Sequence, residues 1–268
     1  MKLTPAQIAE FDEQGYLLLP NLFTAEEIGT LNAEVPAMFA QQRPEVVREK
    51  GTASPRTAFY VQTWNEAFAR LARHPRLVEP GMQLLGSDKL YMHQFKINAK
   101  AAFDGAVWQW HQDYGTWFED DEMPAPRAMN IALFLAEANE FNGPLMFIPR
   151  SHRRGKLPAG HDVTTTSYPL WTVDNETITR LVAEGGIVAP KGPAGSALLF
   201  HCNIVHASGS NLTPWSRWIV YLSLNRSDNA IRRFKRPTHI ANRDFTPIEP
   251  LPDDCLVRYA RERRPAAE

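Results

Sequence analysis

Cysteine is nearly absent: Cys202 and Cys255 are the only two in 268 residues. Two such residues, far apart, make neither a disulfide framework nor a cysteine metal site, so a hydrophobic core must hold the fold; 44% apolar residues at this length can supply one. Excess charge of either sign is also missing. Lys+Arg (29) and Asp+Glu (30) leave a formal net charge of −1, too little for the field that nucleic acid or an anionic membrane requires. Two local basic clusters, Arg150/Arg153/Arg154/Lys156 and Arg232/Arg233/Lys235/Arg236, read as solvated faces. No apolar run approaches the ~18 residues of a membrane span. The opening MKLTPAQIAEFDEQGY has no apolar h-region of a secretory signal. A cytoplasmic chain with neither nucleic-acid nor membrane partners is expected. Internal repeats, low-complexity tracts and Ser/Gly linkers are lacking too, so residues 1–268 read as one domain.

What is present changes in texture along the chain. The first ninety residues read as mostly helical. Thr4 with Gln7, and Thr24 with Glu27, are capping-box signatures, and Pro5 suits a first helical position. GYLLLP between them reads as a short buried strand, and further helices are expected near Asn65–Arg73 and Pro75–Leu85. Short β-type runs follow: KLYMHQFKINAK, VWQWHQDY, AMNIALFLA, PLMFIP, GIVAP, SALLFHCNIVH and RWIVYLSLN. Gly, Pro and Asn punctuate them, and one helical pattern, NETITRLVAEG, interrupts them. Many short strands with such turns predict a mainly β, antiparallel double sheet with the N-terminal helices packed outside it.

Three polar groups stand out against this apolar background. In a strand, His111 and Asp113 point to the same face, at a spacing that suits two metal ligands. The surrounding VWQWHQDYGTW is apolar, so the pair enters a pocket; the same pattern also describes a buried His–Asp hydrogen-bonded pair. His206 ends the apolar strand SALLFHCNIVH and completes a two-His, one-carboxylate set. Such a set, with open coordination positions, marks non-haem Fe(II) oxygenases, although zinc hydrolases use similar ligands. Arg217 begins the next β-run, and the turn-rich ASGSNLTPWS between them predicts a hairpin that sets the arginine beside His206. A planar guanidinium there suits the distal carboxylate of an iron-chelated 2-oxoglutarate, and Ser208 can add a hydrogen bond. In HQFKINAK, alternation puts Gln94, Lys96 and Asn98 on one face, which fits either a ligand cavity or a solvated edge strand. His93 and His201 read as core residues, His152 as a structural hydrogen-bonding residue, and the acidic run Glu119–Glu122 as a solvated loop, part of a lid at most.

These pieces resemble the phytanoyl-CoA dioxygenase superfamily over nearly the whole chain. The matching segments are DEQGYLLLPNLFTAEEI, HQFKINAK, WHQDYGTW, NGPLMFIPRSH, GPAGSALLFHCNIVHASGSNLTPWSR and LNRSDNA. The resemblance implies a double-stranded β-helix (jelly-roll) and a hydroxylase that uses Fe(II), 2-oxoglutarate and O2. It carries iron ligation onto His111, Asp113 and His206, and 2-oxoglutarate binding onto Arg217, Ser208 and Asn98. Gln94 and Trp117 match positions on the substrate side. Within the superfamily the chain is most similar to bacterial hydroxylases of free amino acids, of the L-proline trans-4-hydroxylase and L-leucine 5-hydroxylase type. Ectoine hydroxylases come next; they tend to carry Asn two residues beyond the arginine, where this chain has Ile219. Asp113 disfavours the halogenase variant, which lacks the carboxylate. The expected substrate is a small free amino acid, proline-, leucine- or pipecolate-like, with Arg127 and Gln94 as partners for its carboxylate. A larger natural product, ectoine, and metal-dependent hydrolysis are the alternatives. A monomer or homodimer is expected.

Overall fold

The computed structural model describes residues 1–165 and 169–263. The chain opens with α1 (Pro5–Gln14), β1 (Tyr16–Leu19) and α2 (Ala25–Phe39), and both capping boxes are formed. The Thr4 and Thr24 backbone N–H groups donate to the Gln7 and Glu27 side chains at 2.9 Å each. The reciprocal bonds reach the threonine hydroxyls at 3.3 and 3.2 Å. These bonds satisfy N–H groups that a helix start otherwise leaves unpaired. Gly15 ends α1 at φ +83°, and a Cβ there would strike the His152 ring. Next come β2 (Val46–Arg48), β3 (Pro55–Phe59), α3 (Glu66–Ala72) and α4 (Pro75–Leu85). The two helices fall where the sequence places them. The two short strands interrupt a stretch read as helical, because VVR and PRTAF carry too little periodicity to announce themselves.

The β region contains β4 (Leu90–Lys100), β5 (Trp108–His111), α5 (Asp113–Asp121), β6 (Ala128–Phe134), β7 (Leu145–Phe147), β8 (Gly160–Asp162) and β9 (Leu170–Thr172). After α6 (Asn175–Gly185) come β10 (Ala197–His201), β11 (His206–Ser208), β12 (Arg217–Arg226) and α7 (Cys255–Glu262). Two antiparallel sheets form, a seven-stranded one ordered β1-β10-β6-β12-β4-β3-β2 and a five-stranded one ordered β7-β11-β5-β9-β8. They make the jelly-roll. GIVAP contributes only an isolated bridge, Val188 to Phe147, rather than a full strand.

Period-two alternation divides the large sheet into two different faces. Outward, Phe95, Ile97, Ala99, Val220 and Leu222 pack with Leu31, Val35, Phe68 and Leu71 of the helices. Each fully buried side chain of this kind contributes roughly 1.5–3 kcal/mol. Inward, toward the small sheet, Ile219 and Tyr221 join Phe134, Phe147 and Phe200 in a smaller apolar cluster. The inward face of β4 is polar: Gln94, Lys96, Asn98 and Lys100 stand opposite Ser223, Tyr221, Ile219 and Arg217 of β12. Because β4 lies between β12 and β3, this polar row is interior and not a solvated edge.

Candidate active site

His111, Asp113 and His206 converge, with one ligand atom of each lying within 4.8 Å of the others. They meet by a route the sequence pattern did not anticipate. β5 stops at His111 and α5 starts at Asp113, so a strand-to-helix turn, not strand alternation, brings the carboxylate round. Gln112 locks that turn: its Oε1 accepts the Leu157 N–H at 2.8 Å, and its Nε2 donates to Asn203 O at 2.6 Å. His206 pairs directly with His111 across β11 and β5. Both imidazoles use Nδ1 on a main-chain carbonyl, His111 on Gln109 O (2.6 Å) and His206 on Ile204 O (3.1 Å). That fixes the tautomer and turns each Nε2 lone pair toward Asp113, whose oxygens lie 3.6 Å from each. Burial alone would raise the Asp113 pKa, but His206, His111 and Lys96 outweigh it and hold the carboxyl well below its usual range. Burial, helped by His111, pulls His206 down to about 4, leaving a neutral imidazole fit for a metal. Asn130 donates to Asp113 Oδ2 at 2.7 Å and accepts from the Ser223 hydroxyl at 2.5 Å. This two-residue brace was missed; AMNIALF and YLSLN read as core strands, and only their pairing brings Asn130 opposite Ser223.

The expected His206–Arg217 hairpin does not form. β11 belongs to the small sheet and β12 to the large one, so residues 209–216 cross between sheets. Asn211 steers the crossing, its Nδ2 donating to Lys100 O (3.0 Å) and Trp215 O (2.8 Å). Arg217 is 3% exposed. Its Nε donates to Asn142 O at 3.0 Å and its Nη2 to Gly143 O at 2.9 Å. Its buried Nη1 has no hydrogen-bond partner among the described residues, and the Tyr221 phenol is close enough to interact with the guanidinium.

A cavity of about 340 Å³ opens over the triad, with Gln94, Lys96, Asn98, Trp117 and Ser208 in its wall. Gln94 Nε2 donates to Ile240 O at 2.6 Å, and its Oε1 accepts from Lys96 Nζ at 3.4 Å with a second lone pair left for a ligand. Asn98 Oδ1 accepts from Thr57 at 3.0 Å, leaving its amide N–H groups. Trp117 is 2% exposed and packs edge-on against His93, with ring centroids 4.8 Å apart. Arg127 is not in the wall. Its side chain is 55% exposed and faces Asp228 at 3.7 Å, because β6 begins after it. Lys96 is the cation that takes its place in the cavity, with Gln94 Oε1 at 3.4 Å and no ion-pair partner among the described residues. Burial, opposed by Asp113, lowers its pKa.

The acidic run 119–122 is not a solvated loop; three of its acids pair with the second basic cluster, whose Arg232, Arg233 and Lys235 are exposed as expected. Asp120 and Asp121 are buried in the last turn of α5. Lys235 meets Asp120 at 3.0 Å, Arg236 Nε meets Asp121 at 2.8 Å, and Arg233 pairs with Glu122. Acidic groups at a helix C-terminus oppose the helix dipole, and the basic segment offsets that. His93, fully buried, adds its Nε2 at 3.4 Å from Asp121. The first basic cluster is exposed too; Arg153 and Arg154 pair there with Glu13 and Glu184. His152 makes the structural bond expected of it, to Asp12 O at 3.2 Å.

Comparison with known proteins agrees with this geometry. The family model "Phytanoyl-CoA dioxygenase (PhyH)" matches residues 11–219. An ectoine dioxygenase of Bordetella bronchiseptica is 37% identical over 95% of this chain and 88% of its own length. The L-proline trans-4-hydroxylase of Streptomyces griseoviridis is 35% identical over 92% and 95%. Crystal structures of EctD from S. alaskensis superpose at 32% identity over 93% of this chain and 87% of theirs. The TM-score is 0.81 for the form with bound Fe and 0.83 for the form with 2-oxoglutarate and 5-hydroxyectoine. Identities this similar do not rank the ectoine and proline enzymes against each other. The chain belongs to the phytanoyl-CoA dioxygenase (PhyH) family and is an Fe(II)- and 2-oxoglutarate-dependent dioxygenase.

Proposed function

We propose that the chain hydroxylates an unactivated C–H bond of a small free amino acid, proline-, leucine- or pipecolate-like. His111, Asp113 and His206 are its iron ligands, and Arg217, Ser208 and Asn98 hold 2-oxoglutarate. The donor set fits Fe(II): two imidazoles with Nδ1 already committed, one ionised carboxylate, and room beside them. With iron and O2, 2-oxoglutarate supplies oxidative decarboxylation to succinate and CO2 and the oxidising power for hydroxylation. The chain supplies the rest. Asn130 holds one oxygen of Asp113, so the carboxylate presents the other with a fixed direction. Arg217 is held by carbonyls on two of its nitrogens and offers Nη1 to a carboxylate. Trp117 closes the wall against water.

The observation that carries the small-substrate reading is Lys96. The cavity is at the small end of ligand sites, which run ~300–1,000 Å³. Lys96 is a basic side chain in its wall with no ion-pair partner among the described residues. It suits the substrate carboxylate, while Gln94 Oε1 accepts from the ammonium. A larger natural product does not suit so small a space. Ectoine stays as the second reading because ectoine dioxygenases reach 37% identity. Ile219 offers no polar group on the inner face. The test is succinate release by anaerobically iron-loaded protein with 2-oxoglutarate and O2, against free amino acids and ectoine. Stimulation by an amino acid supports the proposal. Stimulation by ectoine alone replaces it, and only slow uncoupled turnover points to a larger substrate.

A further inference from the structure

We propose that Lys100, which lines no part of the cavity, is the positioning residue of the 2-oxoglutarate subsite: it fixes the loops that aim Arg217. This rests on the reading that Arg217 takes the distal carboxylate. Lys100 ends β4 and stands directly opposite Arg217, the first residue of β12, so both side chains share the inward face. Neighbours opposite one another have Cβ atoms roughly 4.5–5.5 Å apart, and like charges there repel. Both residues are nonetheless buried, at 2% and 3% exposure. Among the described residues no acid is in hydrogen-bond contact with Lys100. Its Nζ donates to Ala106 O at 2.7 Å and to Gly209 O at 2.6 Å. These carbonyls belong to the loop that follows β4 and to the crossing that leads into Arg217.

The stem of Lys100 does a second job. Gly143, at φ +70°, lies against it so closely that a Cβ there would sit 2.8 Å from Lys100 Cδ and 2.4 Å from Gly209 O. The Gly143 carbonyl is one of the two that hold the guanidinium. One side chain thus supports residues 101–106, 142–143 and 209 together, and Arg217 is oriented by the second of these segments. The charges facing Lys100 are Arg217 on β12, Arg56 on β3 and Glu49 ahead of β3, and Glu49 is already paired with Arg56 at 2.8 Å. Burial, then Arg217 and Arg56, lower the Lys100 pKa to about 6.

Lys100→Met keeps the stem and removes both hydrogen bonds. Binding of 2-oxoglutarate to the Fe(II) protein without O2 would be measured beside binding of 2-oxobutyrate, which shares the keto-acid end but lacks the distal carboxylate. The variant is expected to bind 2-oxoglutarate about tenfold more weakly, the cost of one misaligned charge-assisted bond. Its iron affinity, 2-oxobutyrate affinity and kcat at saturating 2-oxoglutarate should stay within about twofold of wild type. Unchanged 2-oxoglutarate binding in a folded variant, or an equal loss for both keto acids, would overturn the proposal. Arg217→Ala is the separate check: if it leaves the preference for 2-oxoglutarate intact, the Arg217 reading fails, whatever Lys100 does. Should Lys100→Met not fold, hydrogen exchange on the wild-type chain decides. 2-Oxoglutarate should slow exchange in residues 101–106 and 209–213 together, and no slowing there would sink the idea.

Discussion

The cations of this site come in two kinds, and the difference lies in what holds them. At the mouth, Lys235 and Arg236 each meet an acid of α5, and Arg233 nearby pairs with Glu122 just past its end. Arg217, buried and outside the cavity wall, is held by main-chain carbonyls, which orient a guanidinium without neutralising it. Lys96, in the cavity wall, likewise has no ion-pair partner among the described residues; its Nζ donates to the Gln94 side chain at 3.4 Å. A compensated cation is spent on holding two segments together. An uncompensated one, buried at some cost, is available to an anion that arrives from solution.

Substitutions can break this contrast, and the largest effect should come from neither kind of cation. His206→Ala takes away one of three ligand positions, and bound iron and succinate release should both fall to background. Iron retained at one per chain with normal turnover would remove His206 from the site. Arg217→Ala comes next. Losing a charge-assisted contact worth about 1.5–3 kcal/mol should raise the 2-oxoglutarate KM by ~10–100-fold. An unchanged KM would put Arg217 among the structural cations. Lys96→Met should raise the KM for the amino acid by about tenfold and leave that for 2-oxoglutarate alone; the reverse pattern would exchange the two roles.

Asp121→Asn should have the smallest effect on turnover and a clear one on stability. It breaks a buried pair, at a cost of roughly 3–5 kcal/mol, visible as a lower Tm. His93 and Arg236 outweigh burial and hold the Asp121 pKa below its ordinary value. Its stabilising contribution is therefore full above an unfolded-state pKa of ~3.9 and lost as pH falls through the lower folded value. The Tm gap between wild type and Asp121→Asn should be constant near neutrality and close below about pH 4. A gap that persists at pH 2 would mean that the pair is not what stabilises this region.

Local chemistry made much of this legible in the sequence. Capping boxes are written in four consecutive residues, and the alternation of HQFKINAK sets Gln94, Lys96 and Asn98 on one face whatever the fold. Which environment that face meets depends on strand order, so cavity and edge could not be separated until β4 was found inside the sheet. The same limit explains the Arg217 hairpin. A turn-rich segment of this length closes a hairpin or crosses between sheets equally well, and Asn211 decides it through bonds to Lys100 and Trp215. Arg127 stood near plausible site residues in sequence but before the start of β6, where the side chain meets solvent and Asp228. Asp120 and Asp121 looked like a solvated run because the partners that bury them lie more than a hundred residues away.

The crossing of residues 209–216 has one further consequence. His111 and His206 hang on the small sheet, whereas Arg217 stands on the large one. With Arg217 as the anchor of the far carboxylate, the reach from metal to anchor is set by how two sheets stack, ~10 Å apart in sandwiches generally. The sandwich is then a ruler for the keto acid. Shortening or lengthening the acid by one carbon misses the anchor, and rebuilding the mouth to admit a new substrate leaves the ruler untouched.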